Sequence, residues 1–226
     1  LAEVVDPLGR RIQYRYDVLG RLVAVEDDTR SLSYRAYDAE GRVVKVTSPT
    51  GKVTEISYDP NGNVTAVLMP NGNGINYEYD EQGRLESRTD ALSQTESWTY
   101  DEMGRVVTYT DRKQQVTSFT YDALGRLKTT VYEDGGSVTA TYDAGNRLRA
   151  LVDSVSGTIS WDYDGLDRLI GETSPQGSLS YELDLVGRRT QMIAGSQAAI
   201  TYGYDDGDRL RTIQQGSELV EFSYDD

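Results

Sequence analysis

Residues 121–127 read YDALGRL, and this seven-residue stretch recurs along the whole chain. Regular copies begin at Tyr16, Tyr37, Tyr58, Tyr79, Tyr100 and Tyr121, and degenerate copies begin at Tyr142, Tyr163, Leu183, Tyr204 and Tyr224. The spacing is 21 residues from Tyr16 to Tyr163, and then 20, 21 and 20. A fixed period of this length is typical of proteins in which each repeat is one supersecondary unit. We therefore expect residues 1–226 to form a single region of about eleven repeats and, because the last copy is cut short, to be a piece of a longer protein.

The motif itself predicts a tight turn. Aspartate in the second position can accept hydrogen bonds from the backbone two residues on, and glycine in the fifth position can adopt a positive φ. Together they indicate a type I turn closed by a G1 bulge. Where this glycine is missing, the substitutes are the residue types that best tolerate the left-handed region: Asn146, Asp167 and Asp208. The structural turn residues predicted from the regular copies are Asp17, Gly20, Arg21, Asp38, Gly41, Arg42, Asp80, Gly83, Arg84, Asp101, Gly104, Arg105, Asp122, Gly125 and Arg126.

A second turn is predicted about halfway between successive motifs. Residues 6–9, 48–51, 69–72 and 174–177 have the form x-Pro-x-Gly, and residues 133–136 are a looser copy. Proline suits the second position of such a turn and is poor inside a central strand. Turns then recur about every ten or eleven residues, so each repeat predicts one β-hairpin.

Strand alternation predicts a sheet with two different faces. The motif tyrosines and the residues two positions before them fall on one face, and we assign to this aromatic face Tyr16, Tyr37, Tyr58, Tyr79, Trp98, Tyr100, Phe119, Tyr121, Trp161, Tyr163 and Phe222. The opposite face is predicted to carry the Asp–Arg pairs of the motif. We interpret these pairs as structural. The aromatic columns are interpreted as packing, with contact to a cargo or a sugar as the alternative.

The number of strands decides the architecture. Eleven hairpins correspond to about 22 strands, which would make a flat sheet about 105 Å wide. Because twisted open sheets rarely exceed about ten strands without curling, the strip must bend. The predicted fold class is all-β, an antiparallel spiral strip of β-hairpins with one hairpin per repeat, forming a curved shell segment. A propeller would need a period of about 42 residues, and a parallel β-helix conflicts with the hairpin turns.

Composition excludes several classes of function. The chain has no Cys and no His, which removes disulfides, Cys/His zinc sites and nucleophiles activated by histidine. A net charge of −14 argues against nucleic acid and anionic membranes as partners. We predict no catalytic, cofactor-binding or metal-binding residue and no cofactor. Residues 164–167 and 205–208 resemble calcium loops only slightly, because neither has the 12-residue ligand array.

The YDxxGRL copies, at 21-residue spacing with interleaved turns, resemble the RHS/YD-repeat family over essentially the full length. This family includes bacterial RHS polymorphic toxins, the BC components of insecticidal toxin complexes and the animal teneurins. The resemblance implies a spiralling β-strip that closes into a hollow shell. In the toxin members it implies a cocoon that sequesters a C-terminal toxin, beside a self-cleaving segment that depends on aspartate. No residue of these repeats supports a protease site.

From the repeat and the resemblance we expect a non-enzymatic scaffold, part of a β-shell that encapsulates the C-terminal toxin of a secreted or injected bacterial polymorphic toxin. The expected partners are the rest of the parent shell and its toxin, and free edge strands also allow self-association. The resemblance alone implies a secreted or cell-surface location. The alternative is a cell-surface adhesion or carbohydrate-binding module in which the aromatic columns bind a glycan or a protein. A hydrolase is the third hypothesis, disfavoured because most carboxylates lie at exposed turn tips.

Overall fold

The computed structural model describes residues 2–9, 11–27 and 31–225 of the chain. In those ranges the backbone forms β-strands and turns, and no helix is present. None of the described residues therefore belongs to a helix that could cross a membrane. The chain divides into two compact units, Leu1–Val116 and Thr117–Asp226.

The first unit is a meander of antiparallel strands. Each strand pairs with the strands before and after it, from β1–β2 to β10–β11. Its strands are β1 (Ala2–Val5), β2 (Arg11–Tyr16), β3 (Leu22–Asp27), β4 (Ser31–Tyr37), β5 (Val43–Thr47), β6 (Val53–Tyr58), β7 (Val64–Leu68), β8 (Gly74–Tyr79), β9 (Leu85–Thr89), β10 (Thr95–Tyr100) and β11 (Val106–Thr110).

The second unit repeats the same meander, with antiparallel pairing from β12–β13 to β21–β22. Its first strand begins at Val116, the last residue of the first unit. Its strands are β12 (Val116–Tyr121), β13 (Leu127–Val131), β14 (Ser137–Tyr142), β15 (Leu148–Asp153), β16 (Gly157–Tyr163), β17 (Leu169–Ser174), β18 (Gly177–Leu183), β19 (Arg189–Ala194), β20 (Ile200–Tyr204), β21 (Leu210–Gln215) and β22 (Glu218–Glu221). The prediction of an all-β strip with one antiparallel hairpin per repeat is confirmed.

The motif turn has the predicted geometry. Asp17 Oδ1 accepts hydrogen bonds from the backbone N–H groups of Leu19 and Arg21, both at 2.9 Å. The N–H of Gly20 donates to the carbonyl of Asp17 at 3.0 Å, and its φ is 78°. The three predicted substitutes for glycine also have positive φ, at 69° for Asn146, 65° for Asp167 and 63° for Asp208. The chemistry of the turn was therefore readable from the motif.

The interleaved turns agree with the sequence at residues 6–9, 48–51 and 69–72, where the last N–H donates to the first carbonyl at 2.9 or 3.0 Å. One predicted turn is corrected. The turn expected at 133–136 begins one residue earlier, because Gly135 N–H donates to the carbonyl of Tyr132 at 2.9 Å. The turn at 174–177 lies where it is predicted, and because Ser174 pairs directly with Gly177, Pro175 and Gln176 form a two-residue loop there.

Several interleaved turns of the described residues lack the Pro-Gly signature, and two of them resemble the motif turn. They begin at Asp90 and Asp111 and use the same aspartate contacts as the motif, because each Oδ1 accepts two backbone N–H groups. Their left-handed positions hold Ser93 (φ 60°) and Gln114 (φ 66°), which are uncommon choices there. An aspartate halfway between two motifs was the signal that could have revealed them.

Every repeat hairpin also contains a register shift that the sequence did not predict. In the β10–β11 pair, Thr99 lies opposite Thr108 and Tyr100 lies opposite Val106, so Val107 is an additional residue. The same shift occurs beside the motif position at Tyr16, Tyr37, Tyr58, Tyr79, Tyr121, Tyr142, Tyr163, Leu183 and Tyr204. Such bulges increase local twist and re-aim side chains.

Each meander is a single layer with almost no core. Among the described residues, Ala24 is the one buried hydrophobic side chain, 3% exposed. The faces nevertheless differ, because in most repeats the residue before the motif position is exposed while the motif residue next to it is half-buried. This exposed set comprises Ala36, Ser57, Glu78, Thr99, Thr120, Thr141, Asp162 and Glu182.

Candidate functional site

The most distinctive side-chain arrangement connects one motif to the next. Arg84 Nε donates to Asp80 Oδ2 at 2.7 Å, and Arg84 Nη1 donates to the backbone carbonyl of Asp101 at 3.2 Å. The guanidinium carbon lies 4.6 Å from the ring centroid of Tyr100, whose hydroxyl donates to the carbonyl of Leu85 at 2.7 Å. We call the motif aspartate, the motif arginine and the tyrosine of the following motif an Asp–Arg–Tyr cluster.

This cluster recurs through both units. In each complete copy the arginine pairs with its own aspartate, and its guanidinium lies 4.2 to 4.8 Å from the centroid of the next motif tyrosine. The complete clusters are Asp17–Arg21–Tyr37, Asp38–Arg42–Tyr58, Asp80–Arg84–Tyr100, Asp122–Arg126–Tyr142, Asp143–Arg147–Tyr163, Asp184–Arg188–Tyr204 and Asp205–Arg209–Tyr224. Asp101 and Arg105 form the same ion pair at 2.7 Å.

The clusters correct the expected separation of the two faces. Alternation placed the Asp–Arg pairs opposite the tyrosines, yet Arg21 lies over the ring of Tyr37 at 4.7 Å and bonds the carbonyl of Asp38 at 3.3 Å. The physical reason is that the arginine follows the G1 bulge, where its side chain runs along the row of turns to the next repeat. The assignment to opposite faces was therefore wrong for arginine.

The aspartate of each of the ten complete motifs is held in its ionised form. The pKa of Asp101 is lowered from its usual value of 3.8 chiefly by the backbone N–H of Arg105, against partial desolvation, with further help from the guanidinium and the N–H of Met103. The pKa of Tyr100 is raised because burial disfavours the phenolate. These groups are therefore suited to stable ion pairing and hydrogen bonding rather than to proton transfer near neutral pH.

The polar residues that replace glycine make an additional contact. Each accepts a hydrogen bond from the arginine one repeat earlier: Arg126 Nη1 to Asn146 Oδ1 at 2.5 Å, Arg147 Nη1 to Asp167 Oδ1 at 2.6 Å, and Arg188 Nη1 to Asp208 Oδ1 at 2.5 Å. The acidic loop at 205–208 is thereby bound to arginines, since Asp205 pairs with Arg209. The described residues contain no group of acidic side chains arranged to hold a metal ion.

Two clusters are incomplete, each in a different way. At Asn63 the arginine is absent, and the amide Nδ2 donates to Asp59 Oδ2 at 2.9 Å. At Leu183 the tyrosine is absent, although Arg168 still pairs with Asp164 at 2.6 Å and bonds the carbonyl of Asp184 at 2.8 Å. The hairpins around both positions are intact, so no single cluster is essential for strand pairing.

A ring pair lies on the predicted aromatic face. Trp98 lies opposite Tyr109, with their ring centroids 5.5 Å apart at an interplanar angle of 33°. Beside them Glu96 bonds both Arg88 and Arg112, at 2.7 and 3.2 Å.

The other predicted aromatic positions differ in their contacts and exposure. Trp161 instead donates its Nε1–H to Glu172 at 3.1 Å. Phe119 lies opposite Thr130 and is half-buried, like Tyr121. Tyr16 and Phe222 are exposed.

Two family models match the chain. The Teneurin YD-shell model matches residues 73–226, and the RHS Repeat model matches residues 1–31 and 37–73. No curated protein matches it.

Solved structures share the fold at low sequence identity. The crystal structure of TcdB2-TccC3-TEV matches with a TM-score of 0.68 and 17% identity over 95% of this chain. The crystal structure of TcdB2-TccC3 matches with a TM-score of 0.57 and 19% identity over 93% of this chain. This chain spans only 14% and 12% of those chains. The regular YD motif, the hairpin repeat and the family match agree, and the chain belongs to the Teneurin YD-shell family.

Proposed function

We propose that this chain is a non-enzymatic stretch of a hollow β-shell that encapsulates the C-terminal toxin of a secreted or injected bacterial polymorphic toxin. The family match and the fold likeness to TcdB2-TccC3 support a shell. The rest of that shell and the enclosed toxin are the proposed partners, and the extracellular environment is the proposed location.

The observation that carries this proposal is the absence of a second layer. The chain exposes 15250 Å². Two separate compact proteins of half its mass would together expose about 12,400 Å². A globular domain buries a core between layers, but these repeats present their half-buried aromatic side without a covering element among the described residues. A sheet of this kind is suited to act as a wall.

The proposed mechanism is steric. Strand pairing and the Asp–Arg–Tyr clusters join each repeat to its neighbour, so stability is built from nearest-neighbour contacts. A continuous hydrogen-bonded sheet leaves no flexible loop in its interior for a protease to cut, and its turns are short. The wall would therefore exclude proteases and other macromolecules from the enclosed toxin.

Limited proteolysis of the parent protein tests the proposal. We expect the toxin domain to survive a protease concentration that degrades the same domain expressed alone. A parent protein with the shell opened by a protease site inserted at the 81–82 turn tip is the matched control. Equal degradation rates for the enclosed and the isolated domain would contradict encapsulation.

A second candidate is a carbohydrate-binding adhesion module, favoured by the Trp98–Tyr109 ring pair. The indole N–H of Trp98 has no partner among the described residues, whereas the indole N–H of Trp161 donates to Glu172. Glycan binding that is lost in Trp98→Ala and kept in Trp161→Ala would support adhesion. The absence of glycan binding together with a protected toxin would leave encapsulation as the function.

A further inference from the structure

The repeat that begins at Tyr58 is the one regular copy in which the motif arginine is replaced, by Asn63. The replacement leaves the other members of the cluster in place. Asp59 Oδ1 accepts the backbone N–H of Asn63 at 2.8 Å, as the motif aspartates do elsewhere. Tyr79 donates its hydroxyl to the carbonyl of Val64 at 2.9 Å, again as in the complete clusters. The framework that holds a guanidinium is therefore built at this repeat.

The next cluster along the chain shows what this framework binds. There the guanidinium of Arg84 contacts three groups: the carboxylate of Asp80, the backbone carbonyl of Asp101 and the ring of Tyr100. A negative carboxylate, a carbonyl acceptor and an aromatic face are the groups that recognise a planar cation. Arg21, Arg42 and Arg147 contact the same three kinds of group in their own clusters.

The shorter side chain of Asn63 satisfies only one of these groups. Its Nδ2 donates to Asp59 Oδ2 at 2.9 Å, but an amide is neutral and carries no guanidinium plane. Among the described residues, no cation lies over the ring of Tyr79, and the carbonyl of Asp80 receives only the turn hydrogen bond from Gly83 at 2.9 Å. The ring face of Tyr79, the carbonyl of Asp80 and the uncompensated charge of Asp59 are thus left without a cation among the described residues.

We propose that Asp59, Tyr79 and the carbonyl of Asp80 form a binding site for a guanidinium group supplied from outside the chain. The group would lie over Tyr79, pair with Asp59 and donate to the carbonyl, as Arg84 does in the next cluster. The net charge of −14 favours the approach of a cation. The source is either an arginine side chain of a partner polypeptide or a free guanidinium compound.

The test uses ethylguanidinium chloride and the whole chain, with the tyrosine ring signals followed by NMR. We expect saturable shifts at Tyr79 in the wild type, and ethylammonium chloride is the control for charge without the planar group. Asn63→Arg fills the site with the chain's own side chain, as in the complete clusters, and should weaken binding about tenfold or more. Arg84→Asn copies the natural replacement and should create a second site, detected at Tyr100.

These outcomes distinguish binding of the guanidinium group at one site from non-specific association of a cation with an acidic protein. Equal shifts in the wild type and in Asn63→Arg would overturn the proposal, as would equal shifts with ethylammonium or no shift at Tyr79. Circular dichroism of both variants shows whether the sheet is retained.

The second arm compares ethylguanidinium with the blocked peptide acetyl-Gly-Arg-Gly-amide. Tighter binding of the peptide would assign the site to an arginine of a partner polypeptide, and equal binding would assign it to a free guanidinium compound.

Discussion

The two units form the same turns with different residues. In the first unit the left-handed position of every motif turn is a glycine, at Gly20, Gly41, Gly62, Gly83 and Gly104. In the second unit three of the five positions are Asn146, Asp167 and Asp208, all with positive φ. Glycine avoids the steric penalty, whereas the polar residues accept it and gain a hydrogen bond to an arginine one repeat earlier. The comparison shows that one backbone geometry can be stabilised either locally or through the neighbouring repeat.

The units also differ in how a cluster is incomplete. In the first unit the ring is present at Tyr79, but Asn63 stands in the position of the arginine. In the second unit the cation is present at Arg168, but Leu183 stands in the position of the tyrosine. Because the strand pairing is intact at both positions, the clusters add to a ladder that forms without them. The effect of a substitution in one unit can therefore be compared with the natural replacement in the other unit.

The largest expected effect is acid destabilisation of both units. The pKa of the aspartate in each of the ten complete motifs is lowered from 3.8, at Asp17, Asp38, Asp59, Asp80, Asp101, Asp122, Asp143, Asp164, Asp184 and Asp205. A lowered pKa means that the native state prefers the charged form. The stabilisation is therefore present above 3.8 and is lost as pH falls through the native values. Urea unfolding between pH 7 and pH 2 should show a falling midpoint, and a midpoint constant across that window would contradict the linkage.

The next effect concerns the left-handed glycine of the first unit. Gly104→Val places a β-branched residue at φ 79° and should destabilise the chain by about 1–2 kcal/mol. Gly104→Asp should lose less, because a Cβ at this position would lie 3.8 Å from Arg84 Nη1 and the carboxylate could pair with it, as Asp167 does with Arg147. Urea unfolding of both variants measures the difference. Equal losses would show that the arginine contact has no compensating effect.

The tyrosine hydroxyl can be removed without removing its ring. Tyr100→Phe should destabilise the chain by about 0.5–1.5 kcal/mol, because the hydrogen bond to the carbonyl of Leu85 is lost while the ring under Arg84 is kept. Equilibrium unfolding in urea is the measurement. A variant as stable as the wild type would mean that water replaces the hydroxyl at no loss.

The missing ring of the second unit can be restored. Leu183→Tyr should gain about 0.5–1 kcal/mol from stacking with Arg168. The spacing allows the hydroxyl contact too, since Tyr224 reaches the carbonyl of Leu210 across a similarly short repeat. Leu183→Phe is the matched control that supplies a ring without the hydroxyl. A loss of stability in both variants would show that the ring does not fit this repeat.

The smallest effect is expected at Asp167. Asp167→Gly removes the strain of a positive φ at an aspartate and also removes the contact with Arg147. Because the two changes oppose each other and the side chain is 79% exposed, stability should stay within about 0.5 kcal/mol of the wild type. A larger loss, measured by thermal unfolding, would show that the contact between repeats outweighs the strain.

The sequence by itself determined the local structure. A motif of aspartate, two variable residues and a glycine specifies its own turn through contacts within five residues, and the 21-residue spacing then implies consecutive antiparallel hairpins. It also identified Asn146, Asp167 and Asp208 as left-handed residues, since few residue types tolerate that conformation.

Only the tertiary structure decided the contacts between repeats. The hydroxyl of Tyr37 reaches the carbonyl of Leu22, and Arg21 turns along the row of turns to the ring of Tyr37. Strand alternation states which side of the sheet a residue occupies. It does not predict the register shift beside each motif tyrosine, or the direction of a long side chain beyond a bulge, because these depend on the distance and twist between neighbouring hairpins.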